Sequence, residues 1–360
     1  MTSFNDNTPK VTIIILNWNS WRDTIECLES VLKIKYPDFN IILIDNNSTN
    51  HSAKKIINWL DGKSAEDIKT SFPHLVEPYV GKPITYSINK IIDGKLHIGG
   101  NKNHEKVKII FLLSDNNLGF AVANNVAIRF GQDYLQSKYF YLLNNDTVVE
   151  PDVLSYLVDA MGNNSDIGVA QSTIYRYSNP LIIANAGAKI FPWAQTKYYK
   201  TIDRHEIKSV DFINGCAMFI RSSIINKYGA LTETFFFGEE DFEYSLRLKK
   251  RGVRRVCISG SKVYHKIGVS SFQYVKNKQN KKLLIFMLNR IIDMRGFYPI
   301  GTWRIWRIFA LIYFYLITVF KNKNTPAKAL KFICRIYYLT NSINDVKKDT
   351  IEPILDTFSL

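Results

Sequence analysis

Cysteine is scarce. Cys27, Cys216, Cys257 and Cys334 are the 4 cysteines among 360 residues, and none stands in a CxxC pair. That excludes a disulfide framework and a thiolate-based zinc site, and it fits a reducing cytoplasm. No basic-then-apolar segment leads the chain, since Met1 to Lys10 is polar, so no secretory signal is expected. The uncharged stretch Ile308 to Phe320 has 13 residues, short of the ~20 that span a bilayer. Acidic residues are nearly missing from the last third. Arg247 to Asp349 holds 23 Lys and Arg against 3 Asp and Glu, a balance of +20, so the total of +15 leaves −5 for the rest. Trp303, Trp306, Tyr313, Phe314 and Tyr315 share that basic third. Basic plus aromatic composition suits an anionic membrane surface or a nucleic acid. Disorder is excluded by 46% hydrophobic and 13% aromatic content. The length allows one large domain, or a domain with an appendage.

What is present centres on Tyr139 to Asp152, YFYLLNNDTVVEPD. The apolar run Tyr139 to Leu143 reads as a buried parallel strand. Asn144, Asn145 and Asp146 then fall at its carboxyl end, where open α/β sheets place ligands. A strand-end carboxylate with an amide oxygen two residues before it suits a hard divalent cation that carries phosphate oxygens. An ordinary Asn/Asp turn reads the same way in isolation.

The neighbours change the balance. Val11 to Leu16 reads as a strand ending at Asn17, then a helix with Ile25, Leu28, Val31 and Leu32 on one face. Ile41 to Ile44 is a second strand ending at Asp45, completing a βαβ unit. Asp45 there can accept hydrogen bonds from a ribose or a base, or cap the helix that starts near Ser52. Residues 61–106, rich in Gly and Pro, read as a variable insertion with little sheet content. Val107 to Leu113 is a third strand, followed by Asn116, Asn117 and Gly119 before a helix. Gly119 there allows backbone N–H groups to approach a phosphate or base, or makes a plain turn. Four strand ends thus carry Asn/Asp clusters, which turns alone do not explain.

Beyond the helix near Val153 to Met161 the pattern becomes mixed. Strands are expected over Ile167 to Ser172, Leu181 to Ile190, Val210 to Ile220 and Val253 to Ile258. Asn214 to Arg221 offers small residues for close backbone approach to a ligand or to the sheet. A helix is expected in the segment Phe235 to Arg251, stopping at Gly252. Glu239, Glu240 and Asp241 at its start favour the helix dipole. One of them, exposed at the edge, is also placed to take a proton from an attacking hydroxyl.

In this order and spacing VTIIILNWN, IILIDNNST, DNNLGFAVANN, YLLNNDTVVEPDVL, INGCAMFIR, GEEDFEYSLRLKKRG and VYHK resemble the inverting nucleotide-sugar glycosyltransferases of family 2. The match runs from about Val11 to His265, and it is nearest to the rhamnosyltransferase and galactofuranosyltransferase branch of bacterial surface polysaccharide synthesis. The resemblance implies an α/β GT-A (Rossmann-like) fold, a mostly parallel sheet flanked by helices, over residues 1–268, with a basic helical C-terminal extension over 269–360. It implies that Asn17 and Asp45 contact base and ribose, and that Asn117 and Gly119 belong to the loop closing on the nucleotide. Asn144 and Asp146 match the DxD motif, with Asn144 replacing its first acid and Asp146 as the main carboxylate for Mg²⁺ or Mn²⁺. Asp241 matches the general base, Glu243 stands where a second Asp often lies, and His265 matches a His near the metal or diphosphate. The implied partners are a nucleotide-sugar donor, with dTDP-rhamnose and then UDP-sugars expected, and a glycan or polyprenyl-diphosphate-linked acceptor.

Two other functions fit parts of the sequence. A sugar-phosphate nucleotidyltransferase would carry a Gly-rich basic loop after the first strand, which Asn17 to Trp21 is not. A nucleic-acid binder would explain the basic tail but not the four strand-end clusters, so no nucleic-acid partner is expected. For the tail itself three roles stand open: an interfacial helix on an anionic cytoplasmic leaflet, a buried or homodimer-contact helix, and a spanning segment. The expected location is cytoplasmic, peripheral at the inner face of the cell membrane.

Overall fold

A computed structural model of the chain describes residues 8–63, 68–99, 107–267, 279–321 and 325–357. The expected division at 268/269 lies outside these residues.

The apolar runs form strands because each is flanked by helices on both faces. β1 (Val11–Asn17) lies between β2 (Phe39–Asp45) and β6 (Tyr139–Asn144), parallel to both. β5 (Ile109–Ser114) follows β2, also parallel. Along β1 the side chains alternate, Ile13 and Ile15 facing one core and Ile14 the other. The first core is covered by α1 (Trp21–Val31), α2 (Ser52–Leu60) and α5 (Val153–Asn163); the second by α4 (Gly119–Tyr134) and part of α7 (Glu240–Lys250).

Beyond β6 the sheet turns mixed. β13 (Ala217–Arg221) pairs antiparallel with β6 and with β8 (Ile167–Arg176), and β14 (Arg254–His265) runs parallel to β8. Strand β14 is longer than expected. Ser259-Gly-Ser261 breaks the apolar pattern, but it is a register shift rather than an end, and the strand resumes to place His265 opposite Thr147 in β7 (Thr147–Val149). Val210 to Cys216 is not strand, so the expected run shortens to β13.

The expectation of little sheet in 61–106 is corrected. β3 (Tyr86–Ile92) pairs parallel with β5 and antiparallel with β4 (Lys95–His97), extending the sheet's edge. Its solvent-facing residues interrupt the apolar run, which hid it among the Gly and Pro residues around it.

Among the described residues the tail forms four helices, α8 (Gln279–Phe297), α9 (Ile300–Leu316, continued by a π-helical turn to Lys321), α10 (Pro326–Ser342) and α11 (Lys348–Asp356). Their buried side chains share a third core with Phe212, Phe235, Phe236 and the Phe242/Leu246 face of α7. The apolar helix is longer than the 13 uncharged residues suggested: Ile300–Phe320 is 21 residues, long and apolar enough to cross a membrane by length and composition. Its packing is two-sided, however. Trp303, Trp306, Leu311 and Phe314 are buried against the neighbouring helices. Ile305, Ile308, Phe309, Ile312, Leu316 and Phe320 are exposed, at spacings of three and four along one outer face.

Candidate active site

Parallel register brings the strand ends together: Asn17 stands beside Asp45, and Leu16 beside Asn144. A polar network ties them. Asn17 Nδ2 donates to Asp45 Oδ1 at 2.6 Å and to Ser48 Oγ at 3.2 Å, and Asn17 Oδ1 accepts from Thr24 Oγ1 at 2.8 Å. Thr24 Oγ1 in turn accepts from Asn145 Nδ2 at 2.9 Å, and Asp45 Oδ2 accepts from the Ser48 N–H at 3.0 Å. The Asn17 side chain is buried and both of its polar atoms have partners within the protein, one of them Asp45, which it holds in place.

Next to this network lies a cavity of about 240 Å³. Asn117, Gly119 and Asn144 line it, as does Asp241 from across the sheet edge. Asn117 is held by Asn46, whose Nδ2 donates to Asn117 Oδ1 at 2.9 Å and whose Oδ1 accepts the Leu118 N–H at 2.9 Å. Gly119 adopts φ +75°, and a Cβ there would lie 2.4 Å from the Phe236 carbonyl oxygen. The close approach that requires glycine is therefore to the chain's own loop, although Gly119 also borders the cavity.

The acidic loop faces the same space. Asp241 Oδ2 accepts the Gly215 N–H at 3.1 Å, so the small residue at 215 admits close approach of this carboxylate. Burial raises the Asp241 carboxyl above its ordinary value, against the opposing pull of the Gly215 and Phe242 N–H groups and of Arg290. Burial pushes Glu240 up to about 8, and the charge of Asp241 adds to this. Glu240 Oε2 is buried without a hydrogen-bond partner. Glu243 turns elsewhere: it forms a two-bond pair with Arg247, at 2.8 and 2.9 Å, which also caps the Tyr228 and Ala230 carbonyls. Four-residue helical spacing explains that pair without any ligand.

Asp146 and His265 meet although 119 positions separate them in the sequence. His265 Nε2 is 3.1 Å from Asp146 Oδ1. Burial lowers the imidazole, but Cys216 and Asp146 outweigh it and hold it well above its ordinary value. Asp146 is only 2% exposed, and its Oδ1 has no polar partner other than the His265 imidazole. Cys216 and Asn145, which flank the pair, line the cavity. No set of three His, Cys, Asp or Glu side chains able to hold a metal exists among the described residues. A buried carboxylate oxygen whose one polar neighbour is an imidazole nonetheless fits an Mg²⁺- or Mn²⁺-type ion, which keeps waters and substrate phosphates for most of its shell.

Of the residues expected from sequence, Asn117, Gly119, Asn144 and Asp241 share the cavity wall; Asp146 with His265, and Asn17 with Asp45, sit next to it. Thr24 and Asn46 were not singled out, and Asn145 and Glu240 entered only as members of the Asn144–Asp146 and Glu239–Asp241 clusters. Asn46 and Asn145 carried a signal, each directly following or preceding a residue already named; Thr24 lies mid-helix and carried none.

Comparisons with known proteins agree with this arrangement. A profile described as "Glycosyl transferase family group 2" matches residues 139–343, and one described as "Glycosyl transferase family 2" matches 12–70. The low-salt glycan biosynthesis hexosyltransferase Agl10 of Haloferax volcanii is 25% identical over 155 residues, 40% of this chain and 48% of the relative, so the chain spans about half the length of that curated relative. A mannosyltransferase from Pyrobaculum calidifontis, solved with GDP-Man and Mn²⁺, superposes with a TM-score of 0.50 at 13% identity, over 98% of this chain and 80% of that one. GalNAc-T7, solved with UDP, GalNAc and Mn²⁺, gives 0.57 at 14% identity, over 97% and 57%. These likenesses establish the fold as GT-A, and the profile covering more than half of the sequence establishes descent: the chain belongs to glycosyl transferase family group 2.

Proposed function

We propose that the protein transfers a sugar, with inversion, from a nucleoside diphosphate sugar to a hydroxyl of a glycan or lipid-linked glycan. One observation carries this reading. A single cavity is bordered both by the residues flanking the Asp146–His265 pair and by Asp241.

Asp146 and His265 would hold a divalent ion, which when bound offsets charge growing on a diphosphate leaving group. Asp45, fixed by Asn17 and the Ser48 N–H, is placed to accept from a ribose hydroxyl or a base N–H. Asn117 and Gly119 close that side of the cavity. Asp241 takes the proton of the acceptor hydroxyl as the new bond forms. A hydroxyl is a poor nucleophile at neutral pH, so a half-buried carboxylate with a raised pKa is a better-matched base than a fully exposed one. A base across the sugar from the leaving group gives one in-line displacement, hence inversion. Two neighbours of the fold carry Mn²⁺ with GDP-Man, or with UDP and GalNAc, which supports metal use and a nucleotide donor.

The finer reading keeps the rhamnosyltransferase and galactofuranosyltransferase branch, with dTDP-rhamnose as first donor and UDP-sugars next. It places the protein at the inner face of the cell membrane, with the exposed apolar face of α9 lying in the interface of an anionic leaflet and the acceptor carried on a polyprenyl diphosphate. Hydrolysis of a panel of nucleotide sugars with Mg²⁺ or Mn²⁺ tests the donor; turnover of none of them would remove the reading. Flotation with anionic vesicles, comparing the whole chain with a variant carrying Ile308→Ser and Ile312→Ser, tests the surface. Loss of flotation in the variant is expected, and equal flotation would discard the membrane role.

A further inference from the structure

The loop that precedes the proposed base is held from the far end of the chain. Gly238 and Glu239 both have positive φ, +77° and +88°. A non-glycine residue in that region costs ~1–2 kcal/mol, so something must keep Glu239 there. Three contacts do. Arg290 of α8 donates through Nε and Nη2 to the two Glu239 carboxylate oxygens and through Nη1 to the Ala194 carbonyl. Its guanidinium also stacks 3.5 Å over the ring of Phe242, the residue after Asp241. Asn289 Nδ2 donates to the Phe237 carbonyl at 2.9 Å and to the Gly238 carbonyl at 2.7 Å. Farther along, Val346 exchanges backbone bonds with Thr234 and Phe236, at 2.9 and 2.8 Å.

We infer that Arg290 and Asn289 are positioning residues of the transfer reaction: the C-terminal helices fix the loop 236–239 and thereby aim Asp241 into the cavity. This rests on the reading of Asp241 as the base. A buried ion pair is a poor source of net stability, since desolvating both partners offsets most of their attraction. It is a good source of geometry, because the planar guanidinium accepts one arrangement of the Glu239 carboxylate. Arg290 is 8% exposed and Glu239 7%, so water does not substitute for either partner. The tail then braces from behind the loop that lines the site. Outward, α9 presents its apolar face; inward, α8 sets the catalytic loop.

The charged or titratable groups acting on Asp241 are Arg290, Glu239, Glu240 and Tyr198. Arg290 is the cation among them and lowers the Asp241 carboxyl. Removing it both frees the loop and takes away a charge that favours the ionised base.

The test uses the whole chain, with the donor that the panel selects and Mn²⁺. Arg290→Met, Arg290→Lys and Asn289→Ala are compared with the unaltered protein and with Asp241→Asn. For Arg290→Met, kcat is expected to fall about 10- to 100-fold, the range in which displacement of a reacting group by an ångström acts. Binding of UDP or dTDP with Mn²⁺, read by calorimetry, should stay within about threefold, a difference under ~1 kcal/mol. The acid limb of the kcat/KM profile should move to higher pH. Arg290→Lys, which keeps the charge without the fork, should leave that limb in place and recover only part of kcat. Asn289→Ala should lower kcat without moving the limb. An Arg290→Met protein with unchanged kcat and acid limb overturns the inference. So does a parallel loss of kcat, nucleotide binding and Tm in both Arg290→Met and Asn289→Ala, since that is a general loss of structure. If Arg290→Met does not fold, Arg290→Lys and Asn289→Ala decide by the same split between kcat and binding. An active Asp241→Asn protein instead removes the base assignment itself, which separates the two failures.

Discussion

Two buried carboxylate regions face the same cavity rim and are built in opposite ways. At the ends of β1 and β2, Asp45 has a donor for each oxygen, and Asn17, Thr24 and Ser48 close the network around it. At the start of α7, one Glu240 oxygen has no partner, Asp241 has one backbone donor from Gly215, and burial raises both acids. The first region satisfies its polar atoms and therefore holds shape. The second leaves acids under-satisfied in a dry loop, a cost that structure alone does not require. Raised carboxyls at a cavity wall are candidates for proton transfer, which is the reading proposed for Asp241.

The contrast can be broken most sharply at Asp241. Asp241→Asn should lower kcat by ~10²–10⁴-fold, the span of a positioned base, while nucleotide binding persists. Steady-state transfer assays beside calorimetry check it, and near-normal turnover would erase the distinction between the two regions. Asp146→Ala should weaken Mn²⁺-dependent nucleotide binding by about 10²-fold, the scale of several kcal/mol of charge stabilisation. Titrating UDP or dTDP with and without Mn²⁺ reads this directly; equal affinity in both proteins would separate Asp146 from the metal.

A third change sharpens the comparison through pH. Because the folded-state Glu240 carboxyl is raised to about 8, the folded chain binds this proton where the unfolded chain does not. Its contribution to stability is then present at low pH and declines as pH rises from the ordinary carboxyl range through about 8. Glu240→Gln should therefore leave Tm nearly unchanged at pH 5 and raise it at pH 9. A Tm difference independent of pH would contradict the burial argument. The smallest expected effect is at the saturated region. Asn17→Ala should cost ~1–3 kcal/mol in denaturant unfolding, because Thr24 and Asp45 lose a buried partner. Its kcat should change far less than that of Asp241→Asn.

How much of this was legible follows the physics of each segment. The parallel strands were, because VTIIIL and YFYLL are continuous apolar runs that only two-sided burial explains, and their abrupt polar ends put Asn144 and Asp146 at the rim. Strand β3 was not, since YSINKII mixes polar and apolar residues and its assignment depends on β5 offering an edge. The reach of β14 was hidden by Ser259-Gly-Ser261, so the residue pattern alone did not bring His265 to Asp146, whereas the family resemblance put both near one metal. The bond from Asn17 to Asp45 was not legible, because a strand-end amide looks the same in the sequence whatever its partner. Arg290 was one more cation in a basic tail; its pairing with Glu239 crosses 51 positions and leaves no local pattern.

The account turns on Asp241 acting in a single displacement. NMR observation of the first-formed product, from a donor of known anomeric configuration, tests this most directly. The account predicts that every product linkage has the configuration opposite to the donor; a product that retains the donor's configuration would contradict it.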